Sequence, residues 1–161
     1  MLIRFAKRLA NWEEPLSIEE LQQREFKAKD GGPDLRPSVY ELHPDHTEVV
    51  RAYAEHSTAL DLRTGLGVAL SVTNRELLST SGNPRFAFIR DRHREIKLNS
   101  VDELRALIRD LQSNLADRRH LVSKEETIAY ARQRIDEGDA EWREAVDAYG
   151  AKAWLVKLQK A

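Results

Sequence analysis

Residues 86–98 read FAFIRDRHREIKL, Asn99 and Ser100 follow, and residues 101–115 read VDELRALIRDLQSNL. A charged knot, Arg90, Asp91, Arg92, His93, Arg94 and Glu95, interrupts apolar residues that otherwise suit a strand. Phe86, Phe88, Ile96 and Leu98 share one parity. A hairpin with the odd loop Asp91, Arg92 and His93 pairs Phe88 with Ile96 and Phe86 with Leu98, which keeps one face apolar. A two-residue turn would set Glu95 and Lys97 opposite the phenylalanines. Histidine also visits the left-handed region more readily than most residues, which suits the last loop position. One uninterrupted strand of 13 residues would exceed the usual length. The expectation is a hairpin, then a helix.

That helix is well marked. Ser100 with Glu103 forms a capping box, and Leu104, Leu107, Ile108, Leu111 and Leu115 form an apolar stripe. The same signal recurs on either side. Ser17 with Glu20, flanked by Leu16 and Leu21 at the staple positions, opens a helix that should fade near Lys29, before the breaker Asp30, Gly31, Gly32, Pro33. Ser123 with Glu126 opens a helix through Ile128, Ala131 and Ile135, stopped at Gly138 and Asp139. Trp142, Ala145, Val146, Tyr149, Ala153 and Trp154 continue as a last helix, bent at Gly150.

Strands fit between these helices. Residues 2–10 satisfy both periods, with a slight preference for a strand through Ile3 and Phe5. Residues 37–42 read as a short strand beginning at Pro37, where no ladder donor is needed. Asp45 and Glu48 start a helix with Val49, Val50, Tyr53 and Ala54 on its apolar face. Residues 66–72 form a largely buried strand, and 76–80 return as its neighbour before a turn at 81–84. The expected architecture is therefore α+β. A small, mostly antiparallel sheet is packed by helices, with a C-terminal helical pair. The core domain is expected over 1–116, and a helical hairpin over 117–161, packed on the core or on a partner.

Composition bounds the function. The chain has 161 residues, no cysteine and a net charge of −1. Thiolate catalysis and cysteine-ligated zinc are excluded. No global field attracts nucleic acid or an anionic membrane. Arg4, Lys7 and Arg8 interrupt what a signal peptide would need as an apolar region, and no apolar run suits a membrane span. The expected location is the cytoplasm, with no membrane partner.

Four sets of residues invite a chemical reading. Residues 85–97 carry five basic groups against two acidic ones, net +3, and Arg90, Arg92, His93 and Arg94 form the candidate partner-binding group. Arginine forks suit phosphate or carboxylate, and Arg118, Arg119 and His120 could extend the patch. The plainer reading is a hairpin tip kept charged against edge pairing. His43, His46, Glu48 and His56 could ligate a metal, but Pro44 breaks helical spacing and no known ligand pattern matches, so no metal site and no cofactor are expected. His93 with Glu95, or Glu55 with His56, could serve as an acid–base pair. Gly65 and Gly67 lack the third glycine of a dinucleotide loop and enter a strand.

The C-terminal segment is the remaining place to look. Residues 124–149 hold four basic and eight acidic groups, and Lys152, Trp154, Leu155, Val156, Lys157 and Leu158 then form an apolar, basic end. Trp154 and Lys157 join the candidate partner-binding residues. No motif names a reaction. The leading expectation is a small cytosolic protein-interaction or regulatory module, a non-catalytic subunit that binds another protein or itself. The alternatives are an accessory nucleic-acid-binding protein using the arginines at 90–94 and an enzyme with a His/Glu acid–base site.

Overall fold

In the computed structural model of the chain, the described residues are 1–13, 16–58, 60, 63–70, 75–80 and 85–149. Their strands are β1 (Leu2–Phe5), β2 (Ser38–Glu41), β3 (Gly65–Leu70), β4 (Leu77–Ser79), β5 (His93–Ile96) and β6 (Arg119–Val122). Their helices are α1 (Ile18–Glu25), α2 (His46–His56), α3 (Ala87–Arg92), α4 (Val101–Gln112), α5 (Leu115–Arg118), α6 (Lys124–Asp136) and α7 (Ala140–Tyr149), with a 3-10 turn at Leu9–Trp12. The protein is α+β. Its six strands form one antiparallel sheet in the order β4-β5-β2-β1-β3-β6.

Side-chain alternation sorts the molecule into three layers. Ile3, Phe5, Tyr40 and Val122 point to one face, where they pack with Val49, Val50, Tyr53, Ile89, Ala131 and Trp142 from α2, α3, α6 and α7. Val39, Leu66, Val68, Leu70 and Ile96 point to the other face, against Trp12, Leu21, Leu104, Leu107, Ile108 and Leu111. The two glycines of β3 are explained by the first face. A Cβ on Gly65 would lie 2.2 Å from the Tyr53 ring, and one on Gly67 would lie 3.1 Å from Ile3 Cδ1. They clear space for α2 and β1, so the Gly65-Leu66-Gly67 run is a packing feature of a strand.

The helix starts follow the local signals. Ser17, Ser100 and Ser123 each accept an N–H from the residue three further on, and Asp45 accepts from Thr47. Glu20 and Glu126 complete reciprocal boxes, whereas Glu103 turns its carboxylate to the Asn99 N–H. Gly138 takes φ +78 at the end of α6, and Asp139 accepts from the N–H groups of Glu141 and Trp142 to start α7. Trp142 is 1% exposed, 4.8 Å from the Phe86 ring and 6.0 Å from Tyr130. This aromatic packs back on its own domain. Trp154, Lys157, the expected turn at 81–84 and the strand end at 71–72 lie outside the described residues.

The hairpin is the main correction. Residues 87–92 are helical, and 93–96 are a strand that pairs with distant partners. Tyr40 lies opposite His93, Ser38 opposite Glu95, and Leu77 opposite Ile96. Phe86 and Ile89, three residues apart, are both buried, and Arg90 N–H bonds the Phe86 carbonyl at 3.1 Å. That is a helical turn, and its open N-terminus receives the Glu141 carboxylate at the Ala87 N–H, 2.8 Å away. The parity of Ile96 and Leu98 survives, since both are buried on the second face. Two further details differ. β4 borders β5 and not β3, and β6 adds an edge strand where none was expected.

Candidate functional site

A cleft of about 410 Å³ opens where β1 ends, β2 begins and α2 hands the chain back to β3. Its described lining is Arg4, Phe5, Ala6, Lys7, Asp34, Ser38, Tyr40, His56, Leu60 and Arg63. The size is within the range of small-molecule sites. Antiparallel pairing of β1 with β2 and β3 brings the three chain ends together there, and Ala6 N–H extends the ladder to the Leu66 carbonyl at 2.8 Å.

The apolar part of the lining is aromatic. The Phe5 ring lies 5.5 Å from Tyr40, 5.4 Å from Tyr53 and 5.3 Å from His56. Tyr40 Oη is 2.9 Å from His56 Nδ1. Burial, reinforced by the Glu55 carboxylate, pushes the Tyr40 phenol up to about 12, so it stays protonated at neutral pH. Crowding of the His56 ring lowers its pKa, with the positive charges of His93, Arg4 and Arg63 adding to the effect, although the residue remains open to solvent on one side. A neutral imidazole that accepts from Tyr40 at Nδ1 carries its proton on Nε2. Leu60, 44% exposed, completes the apolar rim.

The polar part is rich in donors. Lys7, Arg63, the Ser38 hydroxyl and His56 surround it, and Asp34 is its carboxylate. Asp34 Oδ1 already accepts the Arg36 N–H at 2.9 Å. Below them lies Arg4, held in β1 between Ile3 and Phe5 and stacked over Phe26 at 4.3 Å. Arg4 Nη1 donates to the Ser38 carbonyl at 3.0 Å and Nη2 to the Glu25 carbonyl. Its pKa is lowered by burial, against the opposing pull of Glu25 and Asp34.

The charged knot is arranged differently. Arg92 Nε lies 3.3 Å from Glu48 Oε1, with its guanidinium 3.9 Å over the Phe88 ring. Arg94 Nε lies 3.3 Å from Glu41 Oε2, and its Nη1 donates to the Asp91 and His93 carbonyls. Arg90 is exposed. Arg118 is buried, bound to Asp110 and the Ala69 carbonyl, and so ties α4 and α5 to β3. These arginines do not form one surface with it.

The histidines are also separated. His93 sits beside Tyr40, ring to ring at 5.3 Å, and its Nδ1 meets Thr80 Oγ1 at 2.8 Å. Glu95 lies on the same side of β5, opposite Ser38, two residues along. His46 Nε2 binds Glu126 at 2.6 Å and so links the starts of α2 and α6. His43 is exposed, and its N–H bonds Glu48. Glu55 is buried against Arg51, near Glu141 and Asp139, whereas His56 lines the cleft. Among the described residues no three His, Asp or Glu side chains gather to hold a metal, and no helix is long and apolar enough to cross a membrane.

Sequence reasoning missed Arg4, Lys7, Tyr40 and Arg63 as one site. They come from three separate strands and loops, and the one signal they left was a charged residue inside an otherwise apolar strand, LIRF. No family model matches the chain, and no curated protein or solved structure shows detectable similarity to it.

Proposed function

We propose that the chain is a small cytoplasmic binding module, non-catalytic and regulatory in kind, acting as a subunit of a larger assembly. Its working surface is the cleft at the end of the sheet. The observation that carries this reading is the lining itself. An aromatic wall of Phe5 and Tyr40 faces a rim of unspecialised donors, Lys7, Ser38, His56 and Arg63. Such a combination grips and orients a ligand without presenting a positioned nucleophile. The nucleic-acid reading has less support, because Arg92 and Arg94 already have carboxylate partners and Arg90 has no ion pair among the described residues.

Amide-resolved NMR titration with a fragment library of mixed charge tests the proposal. Hits should shift the amides of Phe5, Ala6, Lys7, Tyr40, His56 and Arg63. Hits that gather elsewhere, or none at all, overturn it.

A second reading has one observation in its favour. His56 and His93 flank Tyr40, and a hydroxyl holds each at Nδ1, which leaves both Nε2 atoms for acid–base work. Turnover of an activated ester or phosphodiester that disappears in both His56→Ala and His93→Ala would favour the enzyme over the binding module.

A further inference from the structure

We infer that the cleft holds its ligand by an anionic head, a carboxylate or a phosphate, set among Arg4, Lys7 and Arg63, with an apolar body lying against Phe5, Tyr40 and Leu60. This rests on the reading that the cleft is the working surface, and it names the chemistry of what enters.

Arg4 is the buried cation at the floor of the cleft. It is 8% exposed, and no carboxylate among the described residues pairs with it. Two carbonyls receive its Nη atoms, and its Nε meets no acceptor. Glu25, the nearest candidate, directs its carboxylate elsewhere, to the N–H groups of Lys7 and Arg8 and to the side chains of Asn11 and Trp12. Glu25 and Asp34 act on this guanidinium only through space, and a guanidinium taken out of water gains from a directly bonded counter-charge, which carbonyl dipoles do not supply.

The rim repeats the imbalance. Lys7 and Arg63 have no ion-pair partner among the described residues, and Asp34 is the one carboxylate in the described lining. Three cations against one anion leave the described lining at +2, in a chain whose net charge is −1. The His56 proton on Nε2 and the Ser38 hydroxyl add neutral donors of the kind that complete the coordination of an oxyanion. Phe5 and Tyr40, each 7% exposed, and the exposed Leu60 line the cleft beside them, which suits a ligand with an apolar body.

The test uses the full chain and four probes: phenyl phosphate, benzoate, inorganic phosphate and benzamide. Benzamide has the shape of benzoate without its charge. Arg4→Gln removes buried contacts and endangers the fold, so the exposed pair Lys7→Gln and Arg63→Gln carries the mutational arm. Phenyl phosphate or benzoate should shift the amides lining the cleft and bind about tenfold more tightly than benzamide. The preference between the two names the head group, and inorganic phosphate should bind more weakly than phenyl phosphate. Anion affinity should fall about threefold in each single variant and further in the double, while benzamide is unaffected. It should also weaken as salt rises from about 50 mM to about 300 mM. Benzamide binding the cleft as tightly as benzoate overturns this inference and leaves the cleft as a ligand site. So does anion binding that the double variant leaves unchanged. No cleft shift with any probe overturns both.

Discussion

Two basic regions of this molecule differ in what reaches them from elsewhere in the chain. In the knot and its flanks, Arg85 meets Glu144, Arg92 meets Glu48, Arg94 meets Glu41 and Lys97 meets Glu76. At the cleft, Arg4 meets carbonyls, and the side chains of Lys7 and Arg63 form no ion pair among the described residues. A count along the sequence finds the first region and overlooks the second. Folding inverts that ranking, because acidic residues from β2, α2, α7 and the segment before β4 pair with Arg85, Arg92, Arg94 and Lys97 and leave Arg90 as the exception. Charge density in a window is a statement about the chain, whereas a binding surface depends on which charges remain uncompensated in space.

The contrast breaks first at Glu25. This residue is 0% exposed, and its carboxylate gathers the Lys7 N–H at 2.9 Å, the Arg8 N–H at 3.4 Å, Asn11 Nδ2 at 3.0 Å and Trp12 Nε1 at 3.1 Å. It fixes the turn that presents Lys7 to the cleft. Glu25→Ala leaves several buried donors without an acceptor, and a loss of roughly 3–5 kcal/mol is expected in urea unfolding. Anion binding should fall with it even where the variant stays folded. A loss under about 1 kcal/mol would mean that water replaces the carboxylate and that the turn holds itself.

Glu55 lies on α2, the helix that contributes Glu48 to the knot and His56 to the cleft. On α2, Arg51 lies 4.0 Å over the same Phe88 ring that Arg92 covers, and it pairs with Glu55 at 3.4 Å. Glu55 is 3% exposed, and burial pushes its carboxyl up to about 7, with Arg51 opposing and Glu141 and Asp139 assisting. Tyr130, from α6, is raised in turn by burial and by the Glu55 charge. An acid whose folded pKa is raised binds its proton more tightly in the fold. Its contribution is full below the unfolded value of 4.5 and is lost as pH rises through about 7. The span corresponds to roughly 3 kcal/mol. Glu55→Gln should remove that slope, matching the wild type near pH 4.5 and exceeding its stability above pH 7. Unfolding curves across this range check it, and an unchanged slope assigns the pH dependence to other groups.

Much of the fold could be read from local chemistry. Ser17, Asp45, Ser100 and Ser123 act within three residues of themselves, so the sequence near each one suffices. β2 and β3 were marked by Pro37 and by a short apolar run, whereas β1 was less legible, because residues 2–10 satisfy both periods. The misreading at 86–96 has a physical source. Phe86 and Phe88 satisfy the strand period while Phe86 and Ile89 satisfy the helical one, and α3 has no capping side chain at Phe86 to decide between them. Its cap is Glu141, more than fifty residues away in sequence. β6 was hidden because an edge strand of part-buried Arg119 and His120, exposed Leu121 and one buried valine carries little apolar signal. The cleft was hidden more deeply. Its cations are ordinary residues at 4, 7 and 63, and what distinguishes them is the partners they do not meet.

The smallest expected effects lie in the knot, and they discriminate most sharply between the two regions. Arg92→Ala removes a half-exposed ion pair and a stack on Phe88, so about 1 kcal/mol of stability should be lost. Arg90 is exposed, and Arg90→Ala should stay within about 0.5 kcal/mol of the wild type. Neither change should move the affinity for phenyl phosphate or benzoate, because neither side chain lines the cleft. Anion affinity that falls with Arg90 or Arg92 and not with Lys7 or Arg63 would reverse the ranking. The carboxylates paired with the knot would then be exchangeable partners, displaced when a stronger anion arrives. Glu48 could not leave Arg92 without cost, since its Oε1 also receives the His43 N–H at the start of α2. A ligand at the knot would therefore loosen the first turn of α2, and faster amide exchange at His46, Thr47 and Glu48 would report it.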